Sequence, residues 1–568
     1  MMMNGIGTAY DSFDARVDHV YSSNGEEWMY FSEGGNHVVL YYVGDDMRSY
    51  FHDKVLRLPK KVLVVAATYP HRSDHDNLLH LSEAQTNDQK SINNFPCSVI
   101  KPLIDKQNRY IDNPLLAEAP SGFWFHVYNK ILKVKAIPKS RIPEWVVTDS
   151  ERSQILQSSF KNDKFKALLY TNYTRFPNVF NNEINQTICV EIKPKAGYLA
   201  TSPLVHHDRR AKFFFSRFEL LQQLIADGRI EKGWGTASKQ MSRYSPLDFF
   251  SGDSSRMDRA LRALLDVPQN NLGILSNGNL VWAHNKRPFF ENGGNDSFMN
   301  ALAITCSSKE EVDQKCLEDR LANIIRFILE DESILKDLSQ AQKETDFIDA
   351  DGAIAVYRRL VYLCDSSQDK AERLINFNGF LSENEIRVKH EFSVKELGET
   401  YPISRPVCAA LDDLMKEVQS FKDYLEETAK NNINSNFLDE AHDRAIRCVQ
   451  NLSQDACVWV LQMWLISACL NDLSIMITFS LADYKSNQIM SQDSDLCLKT
   501  LSADFLKDSR DRQTKIIYRI KVVDVDAKPG RKLRDRDKKE KSLSLSFHKM
   551  DSLESGCLST PTNSFNSI

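Results

Sequence analysis

The order in which strand-like and helical periodicities follow one another constrains the fold of this chain most. Period-two alternation comes first. It runs through 28–31, the turn Glu33-Gly34-Gly35-Asn36 and 38–43, then a second turn at Gly44-Asp45-Asp46 and 54–58. Residues 166–171 and 188–192 read as further strands, and 273–282 as a hairpin turning at Asn277-Gly278. Helical spacing holds over 208–226, where Phe213, Phe214, Phe218, Leu221 and Leu224 recur, and again over 253–265. Residues 309–475 are mostly helical by pattern. Strands return at 474–479 and 516–523, the last leading into a basic loop. This order predicts an α+β protein whose N-terminal part is mostly β.

Composition narrows the class. Of 568 residues, 42% are hydrophobic and 26% charged, as in ordinary globular proteins, and the length suits three or four domain-sized units or one large two-lobed enzyme. A net charge of −5 gives no reason to expect nucleic acid or an anionic membrane as the main partner. Eleven cysteines without a CxxC pair or a Cys/His cluster read as thiols of a reducing compartment, with no zinc spacing. The N-terminus lacks the basic and apolar regions of a secretory signal, and the longest apolar run, 457–470, is too short to span a membrane. These features predict an intracellular protein of the cytoplasm, the nucleus or both. The polar stretch 71–91 reads as a surface insertion. The Ser-rich stretch 541–568 reads as a disordered tail.

Four constellations carry chemistry. In Glu33-Gly34-Gly35-Asn36, glycines could let amide groups close over phosphate oxygens, although a two-glycine hairpin is also a common plain turn. In Glu191-Ile192-Lys193-Pro194-Lys195, an extended chain would put the carboxylate and both ammonium groups on one face. A triphosphate or an edge strand guarded by lysines would each account for them. Asp524 and Asp526 follow a hydrophobic strand and precede Lys528, Arg531 and Lys532. Carboxylates at a strand exit suit Mg²⁺, whereas charge runs more often form solvated loops. Asp472 stands between the apolar run and the next strand, where it could cap a turn or serve as a general base.

Taken together, these segments resemble the inositol-pentakisphosphate 2-kinase family. Its signature is similar to Glu191-Ile-Lys-Pro-Lys195 followed by Ala196-Gly197-Tyr198, to Ser216-Arg217-Phe218 and to the block 244–252 (YSPLDFFSG). The similarity continues at Pro268-Gln-Asn-Asn271, at 472–479 (DLSIMITF) and at 524–529 (DVDAKP), and upstream at 30–35 (YFSEGG) and 54–57 (KVLR). The resemblance implies a two-lobed inositol-phosphate kinase fold distantly related to protein kinases. The implied N-terminal lobe covers 26–172 and a larger α/β C-terminal lobe 173–540, with a flexible segment at 1–25. It implies ATP and Mg²⁺ as cofactors, a monomer, and small-molecule partners rather than membrane or nucleic acid. The implied activity is ATP-dependent phosphorylation of inositol 1,3,4,5,6-pentakisphosphate at its 2-hydroxyl, giving the hexakisphosphate.

Site roles follow from the same resemblance. ATP binding falls to Gly34, Gly35, Arg57, Tyr170, Asn172 and Lys193, with 169–173 as the adenine-contacting hinge. Lys195, Arg217, Asn270, Lys528 and Lys532 would bind the inositide. Asp472 and Lys193 would be catalytic, and Asp524 with Asp472 would hold the metal. The charge balance agrees: five phosphates carry roughly −8 to −10 charges, which only convergent Lys and Arg can offset.

This chain also departs from the family pattern. Leu221 and Ile225 stand where a His and a Lys are expected after Arg217, and Gly273 replaces a basic residue. Arg536 lies near the place of a Tyr, and His37 stands where Asn is usual. Lys60 or Lys61 would have to replace an arginine of the first lobe. The transfer core is intact while the substrate clamp is eroded. This leaves altered inositide preference and a non-catalytic inositide-binding scaffold as alternatives.

Overall fold

The computed structural model describes residues 28–33, 37–42, 50–59, 95–112, 115–120, 164–176, 187–226, 241–283, 314–377, 403–428, 434–482, 496–501 and 514–547. Gly34, Gly35, Lys60, Lys61, the N-terminal segment 1–25 and the polar stretch 71–91 lie outside them.

Two antiparallel sheets organise the molecule. The first has five strands: β1 (Trp28–Glu33), β2 (His37–Tyr42), β3 (Lys54–Pro59), β4 (Leu115–Pro120) and β5 (Lys164–Thr171), in the order β1-β2-β3-β5-β4. The second has six: β6 (Ile188–Ile192), β7 (Leu272–Ser276), β8 (Asn279–Ala283), β9 (Ser474–Ala482), β10 (Cys497–Leu501) and β11 (Thr514–Val523), in the order β10-β11-β9-β6-β7-β8. Helix and strand are mixed as an α+β protein requires.

Side-chain alternation gives the second sheet two unlike faces. Ile188, Val190, Ile192, Ile475, Ile477, Phe479, Ile516 and Ile520 join the main core. The helices packed there include α2 (Ser254–Asp266), α3 (Gln314–Glu330), α4 (Ile334–Thr345), α5 (Asp349–Leu363) and α9 (Gln454–Leu470). α6 (Gln368–Ile375), α7 (Ala409–Glu427) and α8 (Ser435–Gln450) complete the helical body. α9 is buried almost all round, which explains its uniform hydrophobicity. Among the described residues no helix is long and apolar enough to cross a membrane. The opposite sheet face carries Cys189, Leu275 and Met476 packed on Tyr173, with Phe31 and Val523 alongside. That face also carries the polar groups of the site.

Two expectations are corrected. The segment 208–226 is not one helix: a 3-10 turn, His207–Phe213, ends before α1 (Arg217–Ala226) begins. A reciprocal cap makes the break. Ser216 N donates to Glu219 Oε2 at 2.7 Å and Glu219 N donates to Ser216 Oγ at 3.2 Å, which fixes a new helix start. The charge-dense stretch after β11 is not a loop throughout, because α10 (Lys532–Phe547) forms there and reaches into the stretch expected to be disordered. Residues 548–568 lie outside the described ones.

Candidate active site

The site forms where three chain ends leave the second sheet beside β3. Its cavity, about 170 Å³, is lined by Val39, Val55 and Arg57 from the first sheet and by the segment Tyr170–Thr174. Glu191, Met476 and Asp524 face these from the second sheet. Backbone bonds hold the connecting segment: Asn172 N donates to Asp53 O at 2.7 Å, while Asn172 Oδ1 accepts from Thr174 N and Oγ1. Asn172 is thereby 5% exposed, its side chain spent on the turn. Burial above all pushes the Tyr170 hydroxyl up to about 12.

β6 delivers Lys193 and Lys195, but not on one face. The strand ends at Ile192, and Lys195 adopts φ +64°, a left-handed conformation that a lysine rarely takes. The expected common face of Glu191, Lys193 and Lys195 is therefore replaced by divergence. Lys193 Nζ donates to Asp524 Oδ2 at 3.0 Å, whereas Lys195 Nζ lies 3.7 Å from Asp472 Oδ1. Glu191 turns to Ser474, whose Oγ donates to it at 2.8 Å.

The turn at Lys195 is fastened from three sides. Gln342 of α4 donates from Nε2 to Lys195 O at 2.9 Å and to Leu470 O at 3.3 Å, and its Oε1 accepts from Gly197 N at 3.1 Å. Tyr244 donates to Pro194 O at 2.8 Å. A Cβ on Gly197 would stand 2.0 Å from the Phe250 ring, so only glycine fits there. The block 244–252 is thus the platform beneath the lysine loop.

Asp472 follows the C-terminus of α9, two residues before β9, and its N–H is held by Cys469 O at 3.0 Å. Lys528 Nζ donates to Asp472 Oδ2 at 2.9 Å. Burial alone would raise the Asp472 carboxyl, but Lys528 and Lys195 outweigh it and hold it well below the usual range. Asp524 leaves β11 at φ +63°, again left-handed. Against the effect of burial, Lys193 and Arg57 lower its carboxyl, while Asp472 works in the opposite direction as a like charge. Burial lowers Lys195, and Lys193 and Lys528 repel its charge further, although Asp472 offsets part of this. Arg57 grips Asp526 through both terminal nitrogens, Nη1 to Oδ1 at 2.9 Å, and lies 3.9 Å from Asp524 Oδ1. Two strained non-glycine residues at one cluster mark a site that the surrounding fold over-determines.

Three lysines, an arginine and three aspartates thus form one network that Arg57 and Asp524 join to the cavity wall, drawn from parts of the chain more than 400 residues apart. The profile of the inositol-pentakisphosphate 2-kinase family matches residues 30–542. The chain belongs to the inositol-pentakisphosphate 2-kinase family. The zebrafish (Danio rerio) inositol-pentakisphosphate 2-kinase is 28% identical over 258 residues, 45% of this chain and 44% of that protein. The Arabidopsis thaliana inositol-pentakisphosphate 2-kinase is 27% identical over 354 residues, 59% of this chain and 70% of that protein. An inositol-pentakisphosphate 2-kinase IPK1 of indica rice is 31% identical over 206 residues, 34% and 40% of the two chains. The matched region is therefore less than half of the zebrafish and rice proteins.

Not every residue that the family resemblance singles out joins this cluster. Lys193, Lys195, Asp472, Asp524 and Lys528 form one network, with Arg57 and the Tyr170–Asn172 segment on the cavity wall. Arg217 opens α1 and pairs with Glu540 of α10 instead. Asn270 is exposed in the turn before β7, and Lys532 is exposed at the start of α10. Sequence reasoning missed Gln342, Ser474 and Tyr244 as supports, and Asp526 as the partner of Arg57. A lone Gln inside an amphipathic helix carries no signal of its own. The two Asp residues at alternate positions after β11 did carry one.

The donor set fits Mg²⁺. Asp472 and Asp524 offer carboxylates kept ionised by their neighbours, 53% and 46% exposed, and Asp524 senses Asp472 as a like charge. Hard oxygen donors close together and open to a phosphate are what this ion takes.

Proposed function

We propose that this protein is an inositol-pentakisphosphate 2-kinase that moves the γ-phosphoryl group of ATP onto the 2-hydroxyl of inositol 1,3,4,5,6-pentakisphosphate. The observation that carries the reading is the pairing of Lys193 with Asp524 next to the pairing of Lys528 and Lys195 with Asp472. Phosphoryl transfer asks for aligned reactants and charge stabilisation rather than covalent help from the protein. In this reading residues 26–172 and 173–540 are the two lobes, the chain acts as a monomer, and ATP lies in the cavity between them. The apolar side chains Val39, Val55 and Met476 flank the adenine there, and the Tyr170–Asn172 segment lies along its edge.

Each side chain then has a role. Lys193 and Arg57 bind the nucleotide phosphates, a role that the family resemblance also gives to Gly34 and Gly35. Asp524 and Asp472 would hold Mg²⁺, which when bound neutralises charge on the β- and γ-phosphates. Lys195, Arg217, Asn270, Lys528 and Lys532 face the acceptor. Asp472 orients the acceptor hydroxyl and takes its proton as the new P–O bond forms and the bond to the ADP oxygen breaks. In the free protein Lys195 and Lys528 hold Asp472 ionised and weakly basic.

One observation favours a second reading, a kinase of the same fold with altered inositide preference. Leu221 and Ile225 follow Arg217 by one and two turns on the same stripe of α1, and Ile225 is 8% exposed, so that stripe carries no further cation. Two substitutions test the shared mechanism. Asp472→Asn is expected to lower kcat at least 100-fold, and Asp524→Asn is expected to weaken Mg²⁺-dependent nucleotide binding. Full turnover in either variant contradicts the assignment.

A further inference from the structure

A second, smaller cavity opens beside the catalytic cluster. It is lined by Ala196 and Asn471, the chain neighbours of Lys195 and Asp472, and by Arg217, Arg536 and Trp464. Two guanidinium groups at one small cavity repel each other. Arg536 is lowered from its ordinary value by burial first and by Arg217 second. A like-charge pair of this kind persists only where something fixes it.

Glu540 does so from below. It is fully buried, pairs with Arg217 through Oε1, and the same Oε1 lies 3.9 Å from Arg536 Nη1, one helical turn away on α10. Its other oxygen is 2.9 Å from Lys212 Nζ, and Lys212 also donates to Asp349 at 2.7 Å and to Asp351 at 3.0 Å. Lys212 is thus consumed by three carboxylates and is 4% exposed. Arg217 and Arg536 differ: their side chains remain 31% and 24% exposed. The Arg536 guanidinium lies 5.6 Å from the centre of the Trp464 ring, which restricts its plane. Each guanidinium has five N–H donors, so one carboxylate oxygen shared between two leaves donors facing out.

We propose that Arg536 is an acceptor-binding residue of this protein, forming with Arg217 a guanidinium pair, seated on Glu540, that takes one phosphate group of the inositide. The proposal rests on the kinase reading and deepens it, since the stripe of α1 that begins with Arg217 continues as Leu221 and Ile225. The pair supplies from α10 the charge that this stripe lacks. The cavity behind it, about 40 Å³, has room for a water but not for a phosphate, so the anion binds at its mouth. The acidic groups Asp346 and Asp349 on its wall reinforce that limit.

The test is isothermal titration of inositol pentakisphosphate and, separately, of an ATP analogue into the full chain. Arg536→Gln and Arg536→Lys are compared with the unaltered protein, and each is checked by thermal unfolding. Arg536→Gln is expected to weaken inositide binding roughly 10- to 150-fold and to leave nucleotide binding unchanged. Arg536→Lys, which keeps the charge but loses the fork, is expected to fall between. It also keeps the question answerable if the glutamine variant does not fold. Unchanged inositide affinity in a folded variant, even with a lowered Tm, would show that Arg536 only packs on Trp464 and would overturn the proposal alone. Failure of the unaltered protein to bind any inositide would overturn the kinase reading with it.

Discussion

Arg57 of β3 and Asp526 of the segment after β11 are 469 residues apart in sequence and joined by a two-pronged ion pair. The pair ties the first sheet to the strand exit that carries Asp524, so the cavity wall and the carboxylate site are set by one contact. Asp526→Ala leaves a guanidinium only 14% exposed without its main partner. Loss of one member of such a pair is expected to cost about 3 kcal/mol of stability. Chemical denaturation measures this, and a loss below about 0.5 kcal/mol, within the range of an ordinary surface substitution, would contradict the structural role.

Gly197→Ala drives a methyl group into the Phe250 ring. Overpacking of this kind is expected to destabilise by about 1–3 kcal/mol and to displace the Lys193–Lys195 turn, lowering activity. Combining it with Phe250→Leu is expected to recover part of both losses. A double variant no better than the sum of the single ones would rule out that contact as the cause.

Gln342→Leu removes the side chain that satisfies Lys195 O, Leu470 O and Gly197 N. Leaving buried backbone groups unpaired is expected to cost about 1–3 kcal/mol. Lys195 and Asp472 flank those carbonyls, so kcat should fall more than nucleotide affinity. Steady-state kinetics with ATP as the varied substrate separates the two. An unchanged kcat would leave Gln342 a stability residue only.

How much of this was legible in sequence differs from element to element. β6 could be read to its ends because a fully apolar strand, Ile188–Val190, runs directly into charged residues. The left-handed turns at Lys195 and Asp524 could not, since a lysine rarely takes a positive φ and most aspartates, though more tolerant of it, do not. The start of α1 was written in Ser216 and Glu219, but the run of phenylalanines across 213–218 hid it. α10 escaped because its inward face is not apolar. Leu533, Arg536 and Glu540 recur at helical spacing, and two of the three are charged groups whose partners include the distant Trp464 and Arg217. Hydrophobic periodicity is blind to a face of that kind.

Burial, reinforced by Asp349, pushes the carboxyl of Asp346 up to about 6. An unfolded aspartate titrates near 3.9, so between about pH 4 and pH 6 the folded protein binds the extra proton. This group's contribution to stability is therefore fully present below about pH 4 and declines as pH rises through 6. Relative to the unaltered protein, Asp346→Asn is expected to gain Tm as the pH is raised from 4 to 7.5. A difference in Tm that stays flat with pH would contradict the assignment.

The central claim is tested most directly by incubating the purified chain with Mg²⁺, γ-labelled ATP and a panel of inositol tetrakis- and pentakisphosphates, then separating products by anion exchange. Labelled hexakisphosphate is expected from the pentakisphosphate whose 2-hydroxyl is free, and is expected to vanish with Asp524→Ala. Label transferred only to other isomers would establish the kinase and refute the 2-hydroxyl assignment. No labelled inositide from a folded protein would contradict the account of the site as a phosphotransferase.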